Sequence, residues 1–148
     1  MDFGLEFDNI AIAIATKADT STVSALTASG SFTATITGCT TSPTTTVNWS
    51  RVGNTVTLQF GAAIVGVSNA TTKTLTGLPA ALQPATVTQL LLFTVANNGS
   101  TSAFGGIQIN PGSGTMQLSP NILLGVGGFT ASGNAGINAN QVITYLLN

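Results

Sequence analysis

From residue 30 onward the chain consists of short segments in which apolar and polar residues alternate, each followed by residues that favour turns. Residues 32–37 and 56–60 show strict alternation. Successive side chains of a β-strand point to opposite faces of a sheet, so this period predicts half-buried strands. No strand–helix–strand spacing is present. The sequence therefore predicts an all-β fold, a jelly roll or β-sandwich of about eight to nine short antiparallel strands with an extended N-terminal arm.

Turn residues divide the body into strands. Val52-Gly53-Asn54-Thr55 fits a two-residue β-hairpin, because Gly and Asn accept the positive φ that such turns require. Asn97-Asn98-Gly99 predicts a second reversal, and Pro111-Gly112-Ser113-Gly114 predicts a third. The remaining predicted strands are residues 47–49, 71–76, 86–96, 103–109, 116–118, 122–126 and 141–147.

The first 29 residues differ from the body in charge. All four carboxylate side chains of the chain lie within residues 1–19, and none follows. Isoleucines alternate with alanines over residues 10–15, which favours an extended strand, with a helix as the alternative because Ala is the best helix former. We therefore predict an arm and connector at 1–29 and a β-sandwich body at 30–148. The predicted partner contacts of the arm are Phe3, Leu5, Phe7, Ile10, Ile12 and Ile14.

Catalytic groups are almost absent from the body. The chain has no histidine, which excludes Ser-His-Asp and Cys-His arrangements, and the body has no paired carboxylates for glycoside hydrolysis. Only Cys39, Lys73 and Tyr145 remain as candidate acid–base groups. A Ser–Lys pair would have to use Lys73, and no neighbouring motif supports one. The sequence predicts a protein that is not an enzyme and has no cofactor.

Other ligand classes are also disfavoured. Zinc sites need Cys or His clusters, and a calcium site at Asp2, Glu6 and Asp8 is less favoured than a solvated charged segment. Three basic residues are too few to follow a phosphate backbone, so no nucleic-acid partner is expected. No apolar run approaches the ~20 residues of a membrane-spanning helix. The acidic N-terminus also lacks the positive region of a signal peptide.

The scarcity of charge points to association. Only 5% of residues are charged, against about 25% in ordinary domains, and the net charge is −1. Because net charge opposes association, we expect much of the surface to pack against partners, although Thr, Ser and Asn side chains could also solvate it. Trp49 and Tyr145 are in phase with core residues, which favours core positions over sugar-stacking ones. For Cys39 a small buried or loop position is favoured over an interchain disulfide.

Three segments resemble a β-domain that recurs in virion proteins of tailed bacteriophages. They are residues 31–58 (SFTATITGCTTSPTTTVNWSRVGNTVTL), residues 75–86 (LTGLPAALQPAT) and residues 129–147, which contain FTASG and ITYLL. The resemblance implies a compact, usually trimeric domain without catalytic residues, found at the distal ends of fibres or as small accessory virion proteins. The first 30 residues lie outside it and show no fibre-shaft repeat, so we do not expect the body to be the tip of a long fibre within this chain.

Two hypotheses follow from this resemblance. The first is a capsid-decorating (cement) protein on the capsid exterior, a homotrimer whose arm binds the major capsid protein, another virion protein or a neighbouring copy. A strand such as residues 10–14 can add to an exposed sheet edge, which motivates this role for the arm. The second is a tail-fibre or receptor-binding head that recognises a host-surface glycan.

Overall fold

A computed structural model describes residues 27–121 and 127–148 of the chain. Within these residues the fold is all-β, as predicted, with ten strands and one short 3-10 turn at Ala80–Leu82. The strands are β1 (Thr27–Ile36), β2 (Thr44–Val52), β3 (Thr55–Phe60), β4 (Ile64–Val67), β5 (Lys73–Thr76), β6 (Gln89–Asn97), β7 (Ser100–Ile109), β8 (Thr115–Ser119), β9 (Asn134–Ile137) and β10 (Gln141–Leu146).

The ten strands form one sheet in the order β10-β3-β2-β1-β5-β8-β7-β6-β9-β4. Every pair within the sheet is antiparallel, as the sequence predicted. β10 stands at one end of this order, yet it also contacts β6, seven positions further along. The sheet is therefore strongly curled, in keeping with the right-handed twist of β-sheets.

The contact between β6 and β10 closes the curl without a regular hydrogen-bond ladder. The Thr94 amide donates to Gln141 Oε1 at 3.0 Å, and the Asn138 amide donates to the Thr94 carbonyl at 3.2 Å. Further along, the Asn148 carbonyl accepts from the amides of Ala85 and Thr86 at 2.9 and 2.7 Å. We call this antiparallel approach of β6 and β10 the seam.

The other end of the sheet is covered too. β4 meets the loop that follows β1, where Cys39 and Ser68 form an isolated antiparallel bridge. The Thr40 amide donates to the Val67 carbonyl at 2.8 Å, and the Asn69 amide donates to the Gly38 carbonyl at 3.1 Å. Exposed strand edges template aggregation, so bonding at both ends of the sheet protects the fold.

One hydrophobic core lies inside the curl. Alternate residues of each long strand point inward, which is why the period-2 pattern was informative. Among the described residues, every buried side-chain nitrogen and oxygen has a hydrogen-bond partner. The largest fully buried side chains are Phe60, Lys73, Phe129, Ile36, Leu58, Ile64, Leu75, Leu82, Ile107, Ile109, Met116 and Ile137.

The predicted reversals are confirmed. Val52 pairs with Thr55 across a two-residue turn in which Gly53 has a φ of 57°. Asn98 and Gly99 have φ values of 52° and 73°, so both central residues of the β6–β7 turn are left-handed, as type I′ hairpins require. These turns set the strand register and therefore determine which side chains point outward.

Two strands were not predicted. β4 and β9 pair with each other over four residues each, and each contains a glycine, Gly66 or Gly136. Such short, glycine-containing segments carry too little alternation to be recognised. The described chain thus has ten strands instead of eight or nine. β1 begins at Thr27, before the boundary predicted at residue 30. The predicted strand at 122–126 and the arm up to residue 26 lie outside the described residues.

Gly53 and Gly61 provide a test of the hairpin. A Cβ added at either position would meet no atom within 4 Å, but only Gly53 has a positive φ. We expect Gly53→Ala to lower the free energy of unfolding by about 1 kcal/mol, because an L-residue in this region clashes with its own backbone. Gly61→Ala should leave it unchanged or raise it by up to ~1 kcal/mol. Urea titration measures both, and equal effects would contradict the assigned turn.

Candidate interaction surface

The partner contacts predicted from the sequence lie outside the described residues. These side chains are Phe3, Leu5, Phe7, Ile10, Ile12 and Ile14. The body contributes a different surface that sequence analysis did not single out. It lies on the outer side of the sheet, on β7, β6 and β10.

The outer side of these three strands carries large apolar side chains that do not enter the core. On β6 the side chains of Phe93 and Val95 are buried, so the intervening positions face outward. On β10 the side chains of Ile143 and Tyr145 are buried, so the positions that alternate with them also face outward. The exposed fractions are 62% for Leu90, 61% for Leu92, 65% for Phe104, 61% for Val142 and 44% for Leu146. We call these five side chains the outer apolar face.

The register of β6 and β7 places two of these side chains beside each other. Leu92 pairs with Gly106, and Phe104 pairs with Thr94, so Leu92 and Phe104 stand diagonally across the β6–β7 ladder. The seam brings β10 alongside β6, which places Val142 on the same outer side. The face therefore extends across three adjacent strands, with the seam running through it.

No described charged group lies on this face. Arg51 and Lys73 are the only charged side chains of the described residues. The Arg51 Nε donates to the Gly53 carbonyl at 2.7 Å in the β2–β3 hairpin, and Lys73 is fully buried. The polar side chains between the apolar ones are amides and hydroxyls, such as Gln108 opposite Leu90 and Gln59 opposite Val142.

Lys73 is buried without a carboxylate partner. Its Nζ donates to the Gly38 carbonyl at 2.6 Å and to Ser68 Oγ at 2.9 Å, and lies 3.8 Å from Cys39 Sγ. The ammonium also lies 5.5 Å from the centroid of the Phe129 ring, within the range of a cation–π interaction. Lys73 thus joins β5 to Ser68 nearby in sequence and to two distant segments, the one at Gly38 and Cys39 and the one at Phe129.

The structure brings Ser68 and Lys73 together, but in a closed arrangement. Both side chains are buried, and the Ser68 hydroxyl lies 2.5 Å from the Thr130 carbonyl and 3.1 Å from that of Ala70. A serine nucleophile needs a free path to its substrate and a base that accepts its proton. Here the serine oxygen receives a hydrogen bond from Lys73, so the geometry is that of a cross-link. The described residues also contain no cluster of three or more potential metal ligands.

The remaining candidate groups are core residues. Cys39 is a free, buried thiol, in agreement with the favoured prediction. Tyr145 is 3% exposed and its hydroxyl donates to the Leu82 carbonyl at 2.6 Å. Trp49 is half-buried, packs on the core and lies over Gly30, its partner in the β1–β2 ladder. Neither ring is presented for sugar stacking in the way that the glycan hypothesis needs.

A second surface feature is a cleft of about 690 Å³ beside β8. Its described wall combines neutral hydrogen-bonding groups and glycine backbone with the apolar side chains of Leu118 and Pro120, and it contains no aromatic ring. Amides and hydroxyls of this kind bind polar uncharged ligands. The lining residues are Thr71, Thr72, Gln108, Gln117, Leu118, Ser119, Pro120, Gly127 and Gly128.

The described residues contain no helix long and apolar enough to cross a membrane.

Because the Tyr145 hydroxyl is buried, we expect the folded chain to lose stability at alkaline pH. Burial raises the pKa of its hydroxyl above the usual value, so the unfolded chain loses this proton before the folded chain does. The stabilisation is fully present below about pH 10, the usual pKa of tyrosine, and is lost as pH rises above it. This is the only tyrosine of the chain, so tyrosinate absorbance measures its ionisation directly.

Tyr145→Phe is the matched variant for this prediction. It should cost about 1–2 kcal/mol at neutral pH, because the Leu82 carbonyl loses its buried donor. Above about pH 10 its stability should fall less steeply than that of the natural chain. Parallel pH profiles for the two proteins would contradict the assigned burial.

Substitutions of Lys73 distinguish the volume of its stem from the bonds of its ammonium. Lys73→Ala leaves a cavity and should lower the free energy of unfolding by about 3 kcal/mol. Lys73→Met keeps the stem and relieves the burial of a charge, and Asn69 still donates to the Gly38 carbonyl, so we expect a loss of about 1 kcal/mol or less. Equal losses in urea titration would show that the ammonium bonds dominate.

Comparisons with known proteins leave the family of this chain open. No protein-family model matches it, and no curated protein matches it. Among solved structures it is similar to a reovirus attachment protein, sigma1, crystallised in complex with alpha-2,3-sialyllactose, with a TM-score of 0.47 and 18% sequence identity. The match covers 82% of this chain and 66% of that chain. This likeness assigns neither a ligand nor a partner to the present protein.

Proposed function

We propose that this chain is a non-enzymatic structural protein of a bacteriophage virion, a capsid-decorating protein on the capsid exterior. In this proposal it acts as a homotrimer that its N-terminal arm anchors to the capsid shell or to a neighbouring subunit. The observation that carries the proposal is the outer apolar face, which leaves five large apolar side chains exposed on a surface without charge. Contiguous exposed apolar patches mark interaction sites on soluble proteins.

The state of the reactive groups supports a role without catalysis. Cys39, Lys73 and Tyr145, the three candidate groups of the body, are all buried and have structural contacts. Arg51 is tied to its own hairpin. The accessible polar groups are mainly hydroxyls and amides, which lack the acid–base range that proton transfer near neutral pH requires.

The arm supplies the anchor in this proposal. Residues 10–14 alternate Ile and Ala, and a strand of this kind adds to an open sheet edge through backbone hydrogen bonds while its apolar face fills pockets. The bacteriophage assignment is supported by the resemblance of residues 31–58, 75–86 and 129–147 to a virion β-domain.

Deletion of residues 1–20 tests the anchor. We expect the shortened chain to keep its folded body but to be lost from particles, because the arm contacts are removed. Quantitative mass spectrometry of purified virions measures incorporation, and circular dichroism checks the fold. Normal incorporation of the shortened chain would contradict the anchoring role.

Two full-length variants provide a matched comparison. Replacing Ile10, Ile12 and Ile14 by Thr removes the apolar face of the predicted strand and should reduce incorporation. Replacing Ala11, Ala13 and Ala15 by Thr alters the opposite face and should reduce it less. The copy number of the natural chain then distinguishes a capsid location from a fibre location. Hundreds of copies per virion indicate capsid decoration, and tens or fewer indicate a fibre.

The cleft beside β8 supports a second candidate, a receptor-binding head that recognises a host-surface glycan. Its neutral amides and hydroxyls suit an uncharged sugar. In this case a glycan array should identify sugars that bind the chain. Gln117→Ala should weaken the binding of those sugars, since Gln117 lines the cleft. An array without binders, together with a copy number in the hundreds, favours decoration.

A further inference from the structure

We propose that the outer apolar face is the surface through which copies of this chain bind one another. This inference rests on the proposed function, since it specifies the contact through which the decorating protein self-associates. The face consists of Leu90, Leu92, Phe104, Val142 and Leu146 on three adjacent strands. Its occupant is the body of a second copy.

The size of the face suits the centre of an interface. Five side chains exposed to this degree present on the order of 400 Å², a patch size that on monomeric proteins is often functional. A standard interface takes about 800 Å² from each partner and surrounds an apolar centre with a polar rim. The amides and hydroxyls of the same strands provide such a rim, and they include Gln59, Gln108 and Thr144.

The chemistry of this rim favours an identical partner. An amide or a hydroxyl both donates and accepts hydrogen bonds, so these side chains can pair with those of identical copies around the axis of the proposed trimer. A rim of lysines or carboxylates would repel its own copy and would require a partner of opposite charge. No described charged side chain lies on this face, so the described residues present no like-charge repulsion to a second copy.

The seam favours a contact between copies through faces over one through strand edges. At the seam, Thr94 bonds to Gln141 and Asn138, and Ala85 and Thr86 bond to the Asn148 carbonyl. Because β10 packs against β6, and these bonds tie the two ends of the approach together, a strand from another copy could enter between them only by displacing these contacts. The contact left to these strands is side-chain packing on their outer side, as in stacked sheets about 10 Å apart.

A pair of valine substitutions in the full chain tests this surface. Val142→Asp places a carboxylate on the face, whereas Val67→Asp makes the same change on β4, where the valine is also exposed. Analytical ultracentrifugation over a concentration series measures self-association. We expect Val142→Asp to raise the dissociation constant at least about tenfold, because burying an unpaired charge in an interface is costly, and Val67→Asp to change it less than about twofold.

Leu92→Thr is the milder second variant, since Thr has a β-branched side chain of the kind that strands favour. It should also weaken association, and thermal unfolding checks that each variant is folded. If the natural chain associates and neither Val142→Asp nor Leu92→Thr weakens it, the face is not the interface, whereas the anchoring role is tested separately by particle incorporation. If the natural chain stays monomeric at its highest soluble concentration, the proposal is overturned. The face would then be a binding surface for a different protein.

Discussion

The approach of β10 to β6 is the contact on which the shape of this protein depends. The sheet order separates these strands widely, and no hydrogen-bond ladder joins them. The Gln141 side chain holds β10 to Thr94 of β6. The Asn148 carbonyl and the Tyr145 hydroxyl hold it to the segment before β6, at residues 82–86. Because these bonds close the curl, one core is enclosed and the outward side chains of β6 and β10 come to lie on one surface.

The buried polar groups of this protein stabilise the fold, whereas its exposed polar groups are available for interaction. The buried ammonium of Lys73 is used to join β5 to the loop after β1 and to the segment around Phe129. Amides and hydroxyls remain on the outside, together with the outer apolar face. Because such a surface carries few charges, electrostatic repulsion between molecules is weak. Its contacts are therefore selected by shape and hydrogen bonding. This is consistent with the proposed structural role.

The sequence predicted local features well and long-range ones poorly. The hairpin at Val52–Thr55 was predictable because Gly53 and its alternating flanks carry the signal locally. The run Leu90–Phe93 predicted a strand, but four consecutive apolar residues do not show which alternate pair faces outward. The register that exposes Leu90 and Leu92, and the proximity of Lys73 to Gly38, depend on pairings between distant segments. The predicted arm contacts remain predictions.

The central claim is that the outer apolar face is buried when copies of this protein assemble. Hydroxyl-radical footprinting of the full chain, read by mass spectrometry in the assembled and the diluted state, tests it residue by residue. We expect labelling of Leu92, Phe104 and Val142 to fall on assembly, while Val52 and Val67, which are also more than half exposed, stay labelled. Equal labelling of the face in both states, or protection confined to Val52 and Val67, would contradict it.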